Sequence, residues 1–220
     1  MSLSRARRQF LLRSGALAAL CGPTASALRS ARAADAAATA PPRLGVWTHG
    51  YAAFGEPLYP RDYDHLSYVD PAAPKGGTLY LKNPDRRTSF DKFNPFTVKG
   101  NAPAGVAIFM LESLTFLAGD ETLTIYGLLA QEMLIAPDKS SISFRLHPKA
   151  HFSNGDAVTA ADVKHSFEQQ AGPYAAPGSQ SALAVVDKVV VLDERTLRFD
   201  LKDKSNDALF TISSLSIFSR

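Results

Sequence analysis

The chain has 220 residues, 45% of them hydrophobic and 20% charged, which suffices for a globular domain with its own core. Its formal net charge is +3, but six of its 24 basic residues lie in residues 1–33, where no acidic residue occurs. The rest of the chain carries 18 basic against 21 acidic residues and has no Lys/Arg run, so the composition argues against nucleic-acid binding.

Residues 1–33 have the pattern of an export signal. Residues 7–11, Arg-Arg-Gln-Phe-Leu, are similar to the twin-arginine signal, although Ala6 stands where Ser or Thr is usual. A weakly apolar run leads to Cys21, and small residues further on offer cleavage sites before residue 34. We therefore expect a periplasmic protein with no transmembrane anchor, because no apolar run reaches about 20 residues. Lipidation of Cys21, the only cysteine, is the alternative.

The next part of the chain predicts little regular structure before residue 76. Residues 34–75 predict an irregular N-terminal segment whose aromatic side chains pack onto the domain that follows. Alternation in Thr78–Lys82 predicts a first strand, and Ser89–Asn101 predicts an aromatic loop around Asn94-Pro95. Apolar residues at helical spacing after Pro103 predict a helix, its apolar positions being Val106, Phe109, Met110, Leu114 and Leu117.

Residues 132–201 predict two β-hairpins separated by a capped helix. Asn154-Gly155 is a turn dipeptide, and Thr159 with Asp162 three residues on is typical of a helix N-terminus. The predicted elements are strands at 132–136, 141–147, 185–192 and 195–201, helices at 160–170 and 206–213, and a loop at 172–181. This alternation predicts a mixed α/β architecture.

Several blocks, in the same order, resemble one family. The segment Phe152–Phe167 is similar to the F-S-D-G-x-P-[VF]-T-A-x-D-V-x-x-S pattern of extracellular solute-binding proteins of family 5, with Asn154 in place of Asp and Ala157 in place of Pro. Blocks at 50–60, 68–79, 90–100 and 111–115 resemble its oligopeptide-binding subgroup, which includes the microcin C importer component. Blocks at 126–132, 137–138 and 144–155 extend the resemblance to the family. The resemblance covers residues 45–220. It implies a type II periplasmic binding protein-like α/β fold with mixed sheets, in which residues 76–220 form the N-terminal part of lobe I and the second lobe is missing.

The resemblance also implies a function. It indicates the periplasmic substrate-binding component of an ABC importer for oligopeptides or peptide-like compounds, a monomer that works with an inner-membrane permease complex and has neither a cofactor nor a catalytic residue. By position against relatives, the peptide is bordered by a four-residue loop, Lys99, Gly100, Asn101 and Ala102. The alternative is an ordinary loop leading into a helix, with Asn101 as a cap near Pro103. We interpret the aromatic side chains of Phe93–Phe96 as core packing rather than a pocket wall.

Three other readings stay open. Ser89 and Lys92 match the S-x-x-K pattern of penicillin-recognising acyl-transfer enzymes, but that chemistry needs a helix, which Pro95 would disrupt. A metal site would need three imidazoles that no helical spacing aligns, those of His147, His151 and His165. Because the apolar run at 213–220 ends without a polar tail, a truncated remnant that binds nothing is the remaining alternative.

Overall fold

Short β-strands begin at Trp47. The structure, a computed structural model, describes residues 43–78, 80, 91–103 and 105–220. The strands are β1 Trp47–Thr48, β2 Gly50–Ala52, β3 Glu112–Ser113, β4 Thr115–Leu117, β5 Thr124–Gly127, β6 Ala130–Ile135, β7 Ser141–Leu146, β8 Val186–Val191, β9 Thr196–Leu201 and β10 Ser216–Ile217. The helices are α1 Ala160–Ala171, α2 Pro177–Leu183 and α3 Asn206–Ser213, and Val106–Met110 forms a π-helical turn. The predicted export signal lies outside the described residues.

A five-stranded antiparallel sheet, in the order β1-β6-β7-β9-β8, consists of the two predicted hairpins and strand β1, which pairs with β6. Both hairpins are confirmed: Ile135 lies opposite Ile142 in the first, and Val191 lies opposite Leu197 in the second. The hairpins join through β7 and β9. Two smaller antiparallel sheets have the orders β2-β5-β4 and β10-β3.

The predicted capped helix is confirmed as α1, which packs on one face of this sheet. Thr159 is the N-cap: its hydroxyl accepts from the N–H of Asp162, and the Asp162 carboxylate accepts from the N–H of Thr159 at 3.0 Å. The helix buries Val163 in the main core, and the ring of Phe167 packs edge-on against Phe199 with centroids 5.8 Å apart. The capping box therefore starts the helix where its apolar side chains meet the sheet.

The segment after β2 is held by a cluster of tyrosines. Tyr59 packs against Tyr63 and Tyr126 at centroid distances of 5.3 and 5.6 Å. The Tyr126 hydroxyl accepts from the N–H of Tyr59 at 3.0 Å and donates to Glu121. Burial, together with the hydrogen bond to Glu121, raises the pKa of Tyr126 well above its usual range. The predicted packing of aromatic side chains onto the domain is thus observed, and β1 and β2 give this segment more regular structure than the sequence suggested.

The predicted helix after Pro103 is wrong beyond residue 110. Leu111 has extended backbone, with φ −118° and ψ 128°, and strands β3 and β4 follow at once. Leu114 is fully buried between these strands, and Phe116 lies opposite Tyr126 in the pairing of β4 with β5. Pairing with β5 outweighs the helical spacing, because the β-branched and aromatic side chains of Thr115 and Phe116 favour an extended backbone.

The predicted loop at 172–181 is also partly wrong, because it contains the start of α2. Pro177 occupies the first turn of this helix, where its missing N–H costs nothing. The Gln180 side chain fixes the preceding turn by donating to the carbonyl oxygens of Gly172 and Ala175 at 3.0 and 2.8 Å. The short helix predicted at 206–213 is confirmed as α3, with Ser205 as its N-cap.

The sequence predicted a first strand at 78–82 and no transmembrane anchor. Thr78 and Tyr80 belong to no strand, and the rest of the strand predicted at 78–82 lies outside the described residues. Within the described ranges, no helix combines the length and the apolar character needed to cross a bilayer.

Candidate functional site

A cavity of about 850 Å³ opens beside the short β3–β10 sheet. Its apolar lining includes Met110, Leu111, Leu129, Val158, Ile217 and Phe218. Its polar lining includes Glu112, His147, Lys149, His151, Asn154 and Ser219. The cavity therefore combines an apolar wall with donors, acceptors and charges of both signs.

The connection between β7 and α1 forms the polar side of this cavity. The N–H of His147 donates to the carbonyl of Leu129 at 2.8 Å, and the N–H of Val158 donates to the carbonyl of Ala150 at 3.0 Å. The predicted Asn-Gly turn is confirmed, with Gly155 at φ +93°, where a side chain would be strained. These bonds hold the polar side chains at the cavity edge.

Two imidazoles on this connection have opposite hydrogen-bonding roles. The N–H of Lys149 donates to Nδ1 of His147 at 3.1 Å, whereas the carbonyl oxygen of Lys149 lies 2.9 Å from Nδ1 of His151. An amide N–H only donates and a carbonyl oxygen only accepts. The neutral His147 ring therefore carries its proton on Nε2, and the neutral His151 ring carries its proton on Nδ1.

A smaller cavity of about 360 Å³ adjoins the first and shares Met110, Leu111 and Phe218 with it. The predicted aromatic loop lines it. The packing interpretation holds for Phe96, whose ring stacks on Phe218 with centroids 5.8 Å apart. It does not hold for Phe93, which is 66% exposed and forms part of the cavity wall.

The predicted ligand loop, Lys99, Gly100, Asn101 and Ala102, does not line either of these cavities. Gly100 has φ +84°, and a Cβ there would lie 2.4 Å from a carboxylate oxygen of Asp91. That carboxylate accepts from the N–H of Asn101 at 2.6 Å. The π-helical turn has Gly105 at its N-cap and no side-chain cap, so Asn101 does not cap it. Contact between this loop and a ligand stays a prediction.

The described residues of the enzyme and metal alternatives contact other groups in the structure. Lys92 lies outside any helix and donates to the carbonyl and hydroxyl of Thr97, while Ser89 lies outside the described residues. His165 packs edge-on against Phe218 with centroids 5.9 Å apart. Across residues 43–78, 80, 91–103 and 105–220, no group of three or more His, Cys, Asp or Glu side chains could hold a metal ion.

The sequence suggested His147 and His151 only as metal ligands. Their spacing on either side of Lys149 is a local signal for another role, because each imidazole forms a hydrogen bond with the backbone of the residue two positions away. No local pattern around Phe218 indicates a site, because Phe218 and Met110 line the same cavity only in the folded chain.

Comparison with known proteins identifies relatives over most of the chain. Residues 124–220 match the family model described as bacterial extracellular solute-binding proteins, family 5 Middle. The probable peptide-binding protein YejA of Agrobacterium fabrum is 34% identical over 164 residues, which is 74% of this chain and 26% of that protein. The peptidoglycan-binding protein YepA of the same bacterium is 32% identical over 167 residues, 72% of this chain and 26% of that protein. The chain thus spans about a quarter of the length of these curated relatives.

A solved structure shares the fold. The unliganded open form of the periplasmic murein tripeptide binding protein MppA superposes with a TM-score of 0.51 at 17% identity, covering 59% of this chain and 28% of that one. This likeness shows that the mixed α/β arrangement corresponds to part of the type II periplasmic binding protein fold.

Proposed function

Because the chain belongs, through residues 124–220, to family 5 of the bacterial extracellular solute-binding proteins, we propose that it is the substrate-binding component of an ABC importer. Its solutes are oligopeptides or peptide-like compounds. It acts in the periplasm as a monomer, reaches it through the signal in residues 1–33, and delivers its solute to an inner-membrane permease complex.

The mixed lining of the 850 Å³ cavity is the observation that carries this proposal. Ligand sites are typically about 300–1,000 Å³ in volume and combine apolar walls with a few polar groups. A peptide has the same combination, since its backbone amides need donors and acceptors and its side chains need apolar contacts. The polar groups of His147, His151 and Asn154 and the apolar walls at Met110 and Ile217 supply both kinds of contact.

The names of the relatives support the same class of solute. One relative is named as a probable peptide-binding protein, one as a peptidoglycan-binding protein, and the solved structure as a murein tripeptide binding protein. Peptide groups are common to all three kinds of ligand. We therefore favour a short peptide over a sugar or a free metal ion.

We further propose that the protein binds its solute without chemical change. The proposal is supported by Lys92, whose amine donates to the carbonyl and hydroxyl of Thr97, whereas a lysine that activates a nucleophile needs its amine beside that nucleophile. A chromogenic β-lactam should accordingly stay intact in the presence of the protein. Hydrolysis would contradict the binding proposal and support the acyl-transfer alternative.

Thermal unfolding with and without peptide tests the proposal directly. Ligand at about 100 times its dissociation constant adds about 2.7 kcal/mol to the free energy of unfolding, which raises Tm by roughly 5–10 °C for a chain of this size. Tri-alanine is a suitable first peptide, with free alanine at matched concentration as the control. If neither tri-alanine nor a mixture of defined peptides raises Tm, the chain does not bind such solutes and the remnant alternative is favoured.

A further inference from the structure

We propose that His147 and His151 recognise the amide groups of a peptide-like solute in the larger cavity, with His147 as the N–H donor and His151 as the acceptor. This inference rests on the proposed function and specifies which side chains recognise the solute. It assigns a recognition role to two residues that the sequence suggested only as metal ligands.

The fixed tautomers are the first step of the argument. Each imidazole uses its Nδ1 atom for the backbone of Lys149, at 3.1 Å for His147 and 2.9 Å for His151. In the part of the chain that the structure describes, no residue supplies a partner for either Nε2 atom. Both side chains line the same cavity. The cavity is therefore lined by one imidazole with a proton to donate and one with a lone pair to offer.

This pair matches an amide better than it matches a charged group. An amide presents a carbonyl acceptor and an N–H donor, whereas a carboxylate only accepts and an ammonium group only donates. The other titratable or charged side chains that line the cavity, Glu112 and Lys149, have opposite signs, so the lining does not select one sign of charge. Donor–acceptor complementarity then decides which solute fits.

Asparagine substitutions isolate the two Nε2 atoms. In His147→Asn the side-chain oxygen can still accept from the N–H of Lys149, and in His151→Asn the side-chain NH₂ can still donate to the Lys149 carbonyl. Each variant thus deletes the Nε2 atom and keeps the local bond. His65→Asn is the matched control, because His65 is exposed and does not line the cavity.

Calorimetric titration with N-acetyl-tri-alanine methylamide, a probe with no charged terminus, gives the first readout. We expect each cavity variant to bind about fivefold to tenfold more weakly than the wild type, and His65→Asn to bind equally well. A set of ester analogues, each with one amide N–H of the probe replaced by oxygen, gives a further test. We expect at least one analogue to bind the wild type more weakly than the parent probe does. The same analogue and the parent probe should bind His151→Asn with equal affinity.

The outcomes separate this inference from the proposed function. If the wild type binds the probe and both variants bind it equally well, the inference is wrong and the proposed function stands. If the wild type binds neither this probe, nor free tri-alanine, nor the mixture of defined peptides, the proposed function fails and the inference fails with it.

Nitrogen-15 NMR of the imidazoles provides a second readout that needs no variant. At a pH where the rings are neutral, we expect the proton on Nε2 of His147 and on Nδ1 of His151. A proton on Nε2 of both rings would leave no acceptor for an amide N–H and would overturn the inference.

Discussion

Arg61 and Glu132 form an ion pair that links the segment after β2 to the five-stranded sheet. The Nη1 atom of Arg61 lies 2.7 Å from the Oε1 atom of Glu132. The other carboxylate oxygen of Glu132 accepts from Arg145, whose guanidinium carbon lies 4.3 Å from the centre of the Trp47 ring. One buried carboxylate thus links this segment with strands β6 and β7 and brings Arg145 over β1.

Removing this carboxylate should lower stability. Glu132→Ala leaves two guanidinium groups without their shared acceptor, and we expect the free energy of unfolding to fall by about 2 kcal/mol, as measured by urea denaturation. Glu168→Ala is the matched control, because that carboxylate is exposed and, among the residues that the structure describes, pairs only with Lys164 one helical turn away. Its expected cost is below about 0.5 kcal/mol. Equal costs for the two variants would contradict the linking role of Glu132.

The main core should depend on Phe144. Its ring is fully buried and packs edge-on against Phe199 with centroids 6.1 Å apart. Phe144→Ala should lower the free energy of unfolding by about 3–5 kcal/mol, because it removes buried contacts and leaves a cavity. Phe54→Ala makes the same chemical change at a side chain that is 64% exposed, and it should cost far less. A small cost at Phe144 would contradict the burial of its ring against Phe199.

The N-cap of α1 should contribute measurably. Thr159→Ala removes the oxygen that accepts from the N–H of Asp162, and we expect a loss of about 1 kcal/mol in urea denaturation. Thr122→Ala is the control, because Thr122 is exposed and caps none of the helices that the structure describes. An equal effect of the two substitutions would show that the cap does not stabilise this helix.

Asp120 should make stability depend on acid pH. Hydrogen bonds from Ser67 and Tyr59 lower the pKa of the Asp120 carboxyl. Because the folded pKa lies below the unfolded value of about 3.9, this stabilisation is complete above that value and disappears as the pH falls through the folded pKa. The urea midpoints of the wild type and Asp120→Asn should therefore differ at about pH 6 and converge towards about pH 2. A difference that does not change with pH would contradict this assignment.

Elements defined by local chemistry were predictable from the sequence. The Asn154-Gly155 turn, the Thr159–Asp162 capping box and the two hairpins all follow from neighbouring residues, and the structure has them at nearly the expected bounds. Residues 111–117 were misjudged because their conformation depends on pairing with β5 and β10, which local spacing does not reveal.

The candidate site was less predictable than the fold. The cavity joins Met110, His147 and Phe218, which lie in different elements and meet only after folding. The predicted loop at 99–102 came from position against relatives, and the structure puts it beside Asp91 rather than in that cavity. The proposed roles of His147 and His151 depend on hydrogen bonds with the N–H and the carbonyl of Lys149, which become evident only in the folded chain.

The central claim, that the cavity beside the β3–β10 sheet binds a peptide-like solute, is tested most directly by NMR. Amide resonances of the nitrogen-15-labelled protein would be followed during titration with tri-alanine. We expect shifts at residues 147–154 and 217–219, and none at residues 47–49, which line a separate cavity of about 390 Å³. Saturable shifts confined to residues outside 109–112, 128–129, 147–158 and 217–219, or no shifts at all, would contradict the claim.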